Sequence, residues 1–151
     1  MFNLIGVDPG EAVGFAVFEV HPDSPIDTRM IYLGQGRHTT FNEEFVELVN
    51  KYSPKIVVAE DYIVYSHKLK AHRNSRMNTS RMLGKIEALG DVFNYKVELQ
   101  PASILPVAEK WTKRPLPKNH SISHQFSALN HARFYMIKNN LDVNEMIREG
   151  K

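Results

Sequence analysis

A chain of 151 residues with a formal net charge of +2 has room for one globular domain with a sizeable core, not for two large ones. It has no cysteine, which excludes disulfides, thiolate metal sites and cysteine nucleophiles and suits a reducing compartment. No apolar stretch approaches the ~20 residues that cross a bilayer, and the opening MFNLIGVD lacks the basic start of a signal peptide, so a cytoplasmic location is expected.

Phe2 to Asp8 reads as a buried strand, and Gly14 to Val20 as the returning strand of a hairpin across the Pro9-Gly10 turn. His21 to Asp27, with two prolines and two aspartates, reads as a loop. Arg29 to Gly34 reads as a third strand, broken by Gly34 and Gly36. Thr40 is a candidate N-cap for a helix carrying Phe41, Phe45, Val46, Leu48 and Val49 at helical spacing, with Glu43 and Glu44 in its first turn and Ser53-Pro54 at its end. Lys55 to Glu60 is short and β-branched, as expected of a buried parallel strand.

Ser66 to Ser80 is polar and basic, either a loop or the start of a helix. Met82 to Leu89 is helical, with Gly90 as its stop. Tyr95 to Leu99 alternates like a strand, Pro101 to Trp111 reads as a short helix and Lys113 to Pro117 as a loop. Ser121 to Asn139 forms a long helix with Ile122, Phe126, Leu129, Ala132, Met136 and Ile137 as its apolar positions. The order βββαβαβαα predicts a mixed sheet covered by helices, in a single domain over 1–140 followed by a polar tail over 141–151.

Charge is segregated along the chain. His67 to Lys85 contains no acid but carries Lys68, Lys70, Arg73, Arg76, Arg81 and Lys85. Lys110 to Leu141 also lacks acids and carries Lys113, Arg114 and Lys118 among its bases. A solvated face mixes both signs, so these two stretches predict contact with a polyanion.

Asp8 and Glu60 each end an apolar run. A carboxylate at the tip of a buried strand is poorly placed for stability and well placed to hold a metal ion, so the pair suggests a shared metal site. Taken singly, Asp8 also reads as a turn-capping residue and Glu60 as a solvated strand end. Asp61 follows Glu60 directly and should point to the opposite face of its strand.

VDPGEAVGFAVFE resembles the first motif of RuvC-type Holliday junction resolvases, VVAEDY their second, and HQFSALNHARFYM their last helix, where a phage and bacterial subgroup carries His-x-x-Asp-Ala. The resemblance spans most of the chain in the right order. It implies a ribonuclease H-like α/β fold, with three antiparallel strands and then parallel strands in one mixed sheet flanked by helices. The implied activity is structure-selective cleavage of branched DNA by a homodimer in a bacterial or phage-infected cell. It also implies two magnesium ions, replaceable by manganese, about 3.5–4 Å apart. By position, Asp8 would bridge them, with Glu60 and His124 as further ligands.

One position departs from the pattern. Aligned on His124 and Ala128, the terminal aspartate of the subgroup falls at Ser127. His124, Ser127 and His131 lie on one helix face, joined by His120 if the helix starts that early. A neutral hydroxyl is a poor magnesium ligand. Three explanations stand: a deliberate inactivating substitution, activity supported by His124 or water instead, or a natural homologue that binds without cutting.

Lys68, Lys70, Arg73, Arg76, Arg81, Lys113, Arg114 and Lys118 are then candidate phosphate contacts, and Tyr62, Tyr65 and Trp111 candidate stacking partners for opened bases. Met82, Leu83, Ile86 and Leu89 form either a dimer interface or part of the core. A non-catalytic junction-binding module is the alternative reading. A nucleotide-binding protein of the actin and sugar-kinase type, which shares the strand-Asp-Gly phosphate loop, is disfavoured because such proteins need two lobes.

Overall fold

The computed structural model describes residues 1–61, 73–113 and 120–144, with the side chains of 73–77 and 120–122 excepted. Five strands form one sheet: β1 (Phe2–Asp8), β2 (Ala12–Val20), β3 (Arg29–Arg37), β4 (Ile56–Asp61) and β5 (Lys96–Pro101). The helices are α1 (Phe41–Tyr52), α2 (Arg73–Phe93), α3 (Leu105–Thr112) and α4 (His120–Lys138). The spatial order is β3-β2-β1-β4-β5. β1, β2 and β3 run antiparallel in sequence, while β4 lies parallel to β1 and β5 parallel to β4. This is the mixed α/β sheet expected from the order of elements.

Strand parity sorts the side chains into two cores. Ile5 and Val7 of β1, Val13, Phe15 and Val17 of β2, and Val57 and Ala59 of β4 face α1 and α2. Phe41 and Phe45 of α1 are buried there, worth about 1.5–3 kcal/mol each. Their rings stack with Phe15 in a row, with centroids 6.2 and 5.3 Å apart. On the opposite face Leu4, Ala16, Phe18 and Val58 meet Ala128, Leu129, Ala132 and Met136 of α4.

Helix α4 lies unusually close to the sheet. A Cβ on Gly6 would overlap the carbonyl oxygen of Ala128, and one on Gly14 would overlap that of His124. Asp8 pairs with Gly14 across the hairpin, so the closest approach of α4 falls beside the acid at the tip of β1. Beyond α4, residues 141–144 turn back. Thr28 Oγ1 donates to the Leu141 carbonyl at 2.7 Å, and Arg133 Nε donates to Asp142 Oδ2 at 2.9 Å.

Several local expectations are corrected. Gly34 and Gly36 do not end β3; they stay in the ladder opposite Phe15 and Val13, because a paired neighbour outweighs glycine's weak strand preference. Gly90 does not stop α2, which continues to Phe93; Asn94, at φ 61°, takes the left-handed position that ends it. Thr40 makes no capping hydrogen bond to the backbone, and its hydroxyl donates to Glu44 Oε1 at 2.6 Å instead. Of the two alternatives for the stripe on α2, the structure supports the core: Met82 and Ile86 are buried in the first core, with Leu83 and Leu89 packed against them.

Candidate active site

The site forms where three parallel strands end. β1, β4 and β5 all present their carboxyl ends at the same edge, the position where open α/β sheets commonly bind ligands. Asp8, Glu60 and Gln100 share the strand parity that faces α4, and Glu60 pairs directly with Gln100. Asp61, one residue on, has the opposite parity, as expected.

The carboxyls of Asp8 and Glu60 are near enough to shift each other's ionisation. Asp8 is only 5% exposed, and its Oδ2 sits 3.0 Å from His124 Nδ1. Burial, reinforced by Glu60, pushes the Asp8 carboxyl up to about 7, although the bond to His124 works the other way. Burial also pushes Glu60 upward, but the His131 N–H and the Asp8 proton outweigh it and leave Glu60 below its ordinary value. The bond to Asp8 holds the His124 imidazole above its usual value, against burial. Of the two acids, Asp8 therefore holds its proton to higher pH than Glu60.

From α4, His131 points its Nε2 at Glu60 Oε1, 3.6 Å away, and is fully buried. Ser127 lies between His124 and His131 on that helix face. It is 4% exposed, and its hydroxyl has no hydrogen-bond partner among the described residues. Asp8, Glu60 and His124 thus gather at one place, with Ser127 one turn beyond His124 on the same face of α4. Gln100 is a site residue that the sequence reading missed. Its signal was present in β5, where Lys96, Glu98 and Gln100 share one parity.

Two adjacent buried carboxyls that cannot both ionise freely suit a divalent cation. Magnesium commonly takes one or two protein carboxylates and completes its shell with water and phosphate oxygens. Asp8 and Glu60 fit one such ion. Among the described residues no group of three or more His, Asp or Glu side chains surrounds a common point, so a second ion finds no third carboxylate. His124 has its Nδ1 committed to Asp8.

The expected DNA contacts are less fully placed. Arg81 on α2 and Lys113 at the end of α3 are exposed. Arg73 and Arg76 lie on α2, but their side chains, like that of His120 on α4, are outside the described residues. Lys68, Lys70, Arg114, Lys118, Tyr62 and Tyr65 also lie outside them. Trp111 stacks on Phe134 at 4.9 Å, so its ring already has a partner within the chain.

No protein-family model and no curated protein sequence matches this chain. Solved structures do. RuvC of Thermus thermophilus in complex with a Holliday junction is 15% identical, with 91% of this chain and 96% of that one covered at a TM-score of 0.67. The fowlpox virus Holliday junction resolvase is 18% identical, with 91% and 99% covered at 0.62. This is the RuvC-like, ribonuclease H-like fold. The yeast mitochondrial Holliday junction resolvase shares it as well, at 14% identity and a TM-score of 0.57. No helix among the described residues is long and apolar enough to cross a membrane.

Proposed function

We propose that this chain is a divalent-metal-dependent endonuclease acting on branched DNA such as four-way junctions. The observation that carries this reading is the pairing of Asp8 with Glu60 at the carboxyl edge of the parallel strands, beneath the His124–Ser127–His131 face of α4. Magnesium or manganese held by these carboxylates would supply charge neutralisation for phosphodiester hydrolysis. The protein's own groups bring the acids together, exclude bulk water from Asp8 and fix it against His124. The basic stretches 67–85 and 110–118 would follow the phosphate backbone, recognising shape more than sequence. Two opposed strands at a junction call for two sites, hence a homodimer.

A second reading is favoured by one observation. Ser127 leaves the face without a third carboxylate, which suits a protein that binds junctions and does not cut them. One experiment separates the two. A labelled four-way junction is incubated with magnesium or manganese, comparing the chain with Ser127→Asp. Nicking that requires metal and rises in Ser127→Asp supports the nuclease. Salt-sensitive binding with no cleavage by either protein supports the binding module and refutes the nuclease.

A further inference from the structure

Among the described residues the buried Nε2 of His131 has no hydrogen-bond partner, although burying a donor without one costs about 1–3 kcal/mol. Its surroundings explain the arrangement. Gln100 Nε2 lies 2.9 Å from the His131 carbonyl oxygen and 3.2 Å from His131 Nδ1. A carbonyl oxygen can only accept, so the amide must present its NH2 group on this side. An NH2 group can only donate, so Nδ1 must accept and the ring proton must reside on Nε2. That proton faces Glu60 Oε1 across 3.6 Å, slightly too far for a hydrogen bond.

We infer that Gln100 and His131 form a positioning chain, in which Gln100 fixes the His131 tautomer so that Nε2–H is reserved for the carboxyl group of Glu60. A small advance of Glu60 toward α4 closes the bond. The inference rests on the nuclease reading only for the purpose of Glu60; the tautomer rests on the contacts alone. Gln100 touches no reacting group. It acts through His131, as outer partners of metal-bound carboxylates commonly do.

The chain labelled with 15N in its histidines tests this, using long-range 1H–15N spectra of the rings. His131, assigned by its loss in His131→Gln, should show a protonated Nε2 and a bare Nδ1. Gln100→Glu exchanges the donor for an acceptor and should move the proton to Nδ1. Manganese affinity, read by electron paramagnetic resonance, should fall about tenfold or more in Gln100→Glu and in His131→Leu. His131→Gln, whose amide nitrogen can stand in for Nε2–H, should stay within about threefold of the unaltered chain. Should Gln100→Glu fold poorly, Gln100→Met removes the donor without adding charge and should leave a mixture of tautomers. A proton on Nδ1 in the unaltered chain, or equal manganese affinity in all variants, overturns the inference. Absence of manganese binding by the unaltered chain overturns the metal-dependent reading and the role given to Glu60. A wrong tautomer with manganese binding intact overturns the positioning chain alone.

Discussion

Ser127→Asp should destabilise the metal-free protein strongly at pH 8 and less than half as much at pH 5, and magnesium should offset most of the loss. Asp8 sets the scale. Its carboxyl rises from 3.8 to about 7, roughly three pH units or about 4 kcal/mol against ionisation in the folded state. A carboxylate at 127 would meet the same burial on the same helix face and two acids in place of one. Its folded value should therefore be raised as well. For such an acid, stability is fully present below the unfolded value near 4 and is lost as pH climbs toward the folded value. The expected loss at pH 8 is about 3–4 kcal/mol. For a domain of this size that corresponds to a fall in Tm on the order of 10 °C. Magnesium at a hundredfold excess over its Kd should restore about 2.7 kcal/mol. Thermal unfolding of both proteins at pH 5 and pH 8, in EDTA and in magnesium, measures all of this. An equal loss at both pH values, or a deficit that magnesium does not touch, would show that position 127 does not face the acid pair.

Other expectations follow from the same contacts. Asp8→Asn should raise metal-free stability at pH 8 by about 1–2 kcal/mol, by removing a buried charge, and should abolish manganese binding; urea unfolding and paramagnetic resonance read the two effects. Gly14→Ala should lower Tm by several degrees and weaken junction binding together, because the new methyl group meets the His124 carbonyl and pushes α4 from the sheet. Breaking the nearly buried Arg133–Asp142 pair with Asp142→Asn should cost about 3 kcal/mol in urea unfolding. Tyr95→Phe removes a buried hydroxyl that donates to the Ile86 carbonyl and should cost about 1 kcal/mol in the same assay.

The sequence made β1 legible to the residue because its apolar run is bounded by a charged residue and a Pro-Gly turn. Asp8 and Glu60 were legible for the same reason: each interrupts a hydrophobic run where burial would otherwise continue. Parity then correctly separated Glu60 from Asp61. What sequence could not show was anything decided by a neighbour far along the chain. β3 continues through two glycines because β2 supplies its hydrogen bonds. Residues 82 to 89 fit a dimer face and a core equally well until α2 is docked on the sheet. Gln100 reads as an ordinary strand residue, since its partner His131 lies 31 positions away. Ser127 was visible as an exception, but its lack of a partner among the described residues is a property of the packed helix alone.

The bare backbones of Gly6 and Gly14 separate the placement of α4 from the identity of the side chains it carries. The depth at which α4 rests is dictated by main-chain atoms meeting main-chain atoms, so the helix has nowhere to slide when a side chain along it is exchanged. Position 127 can accordingly trade a carboxylate for a hydroxyl, or back again, without altering the contour of the cleft.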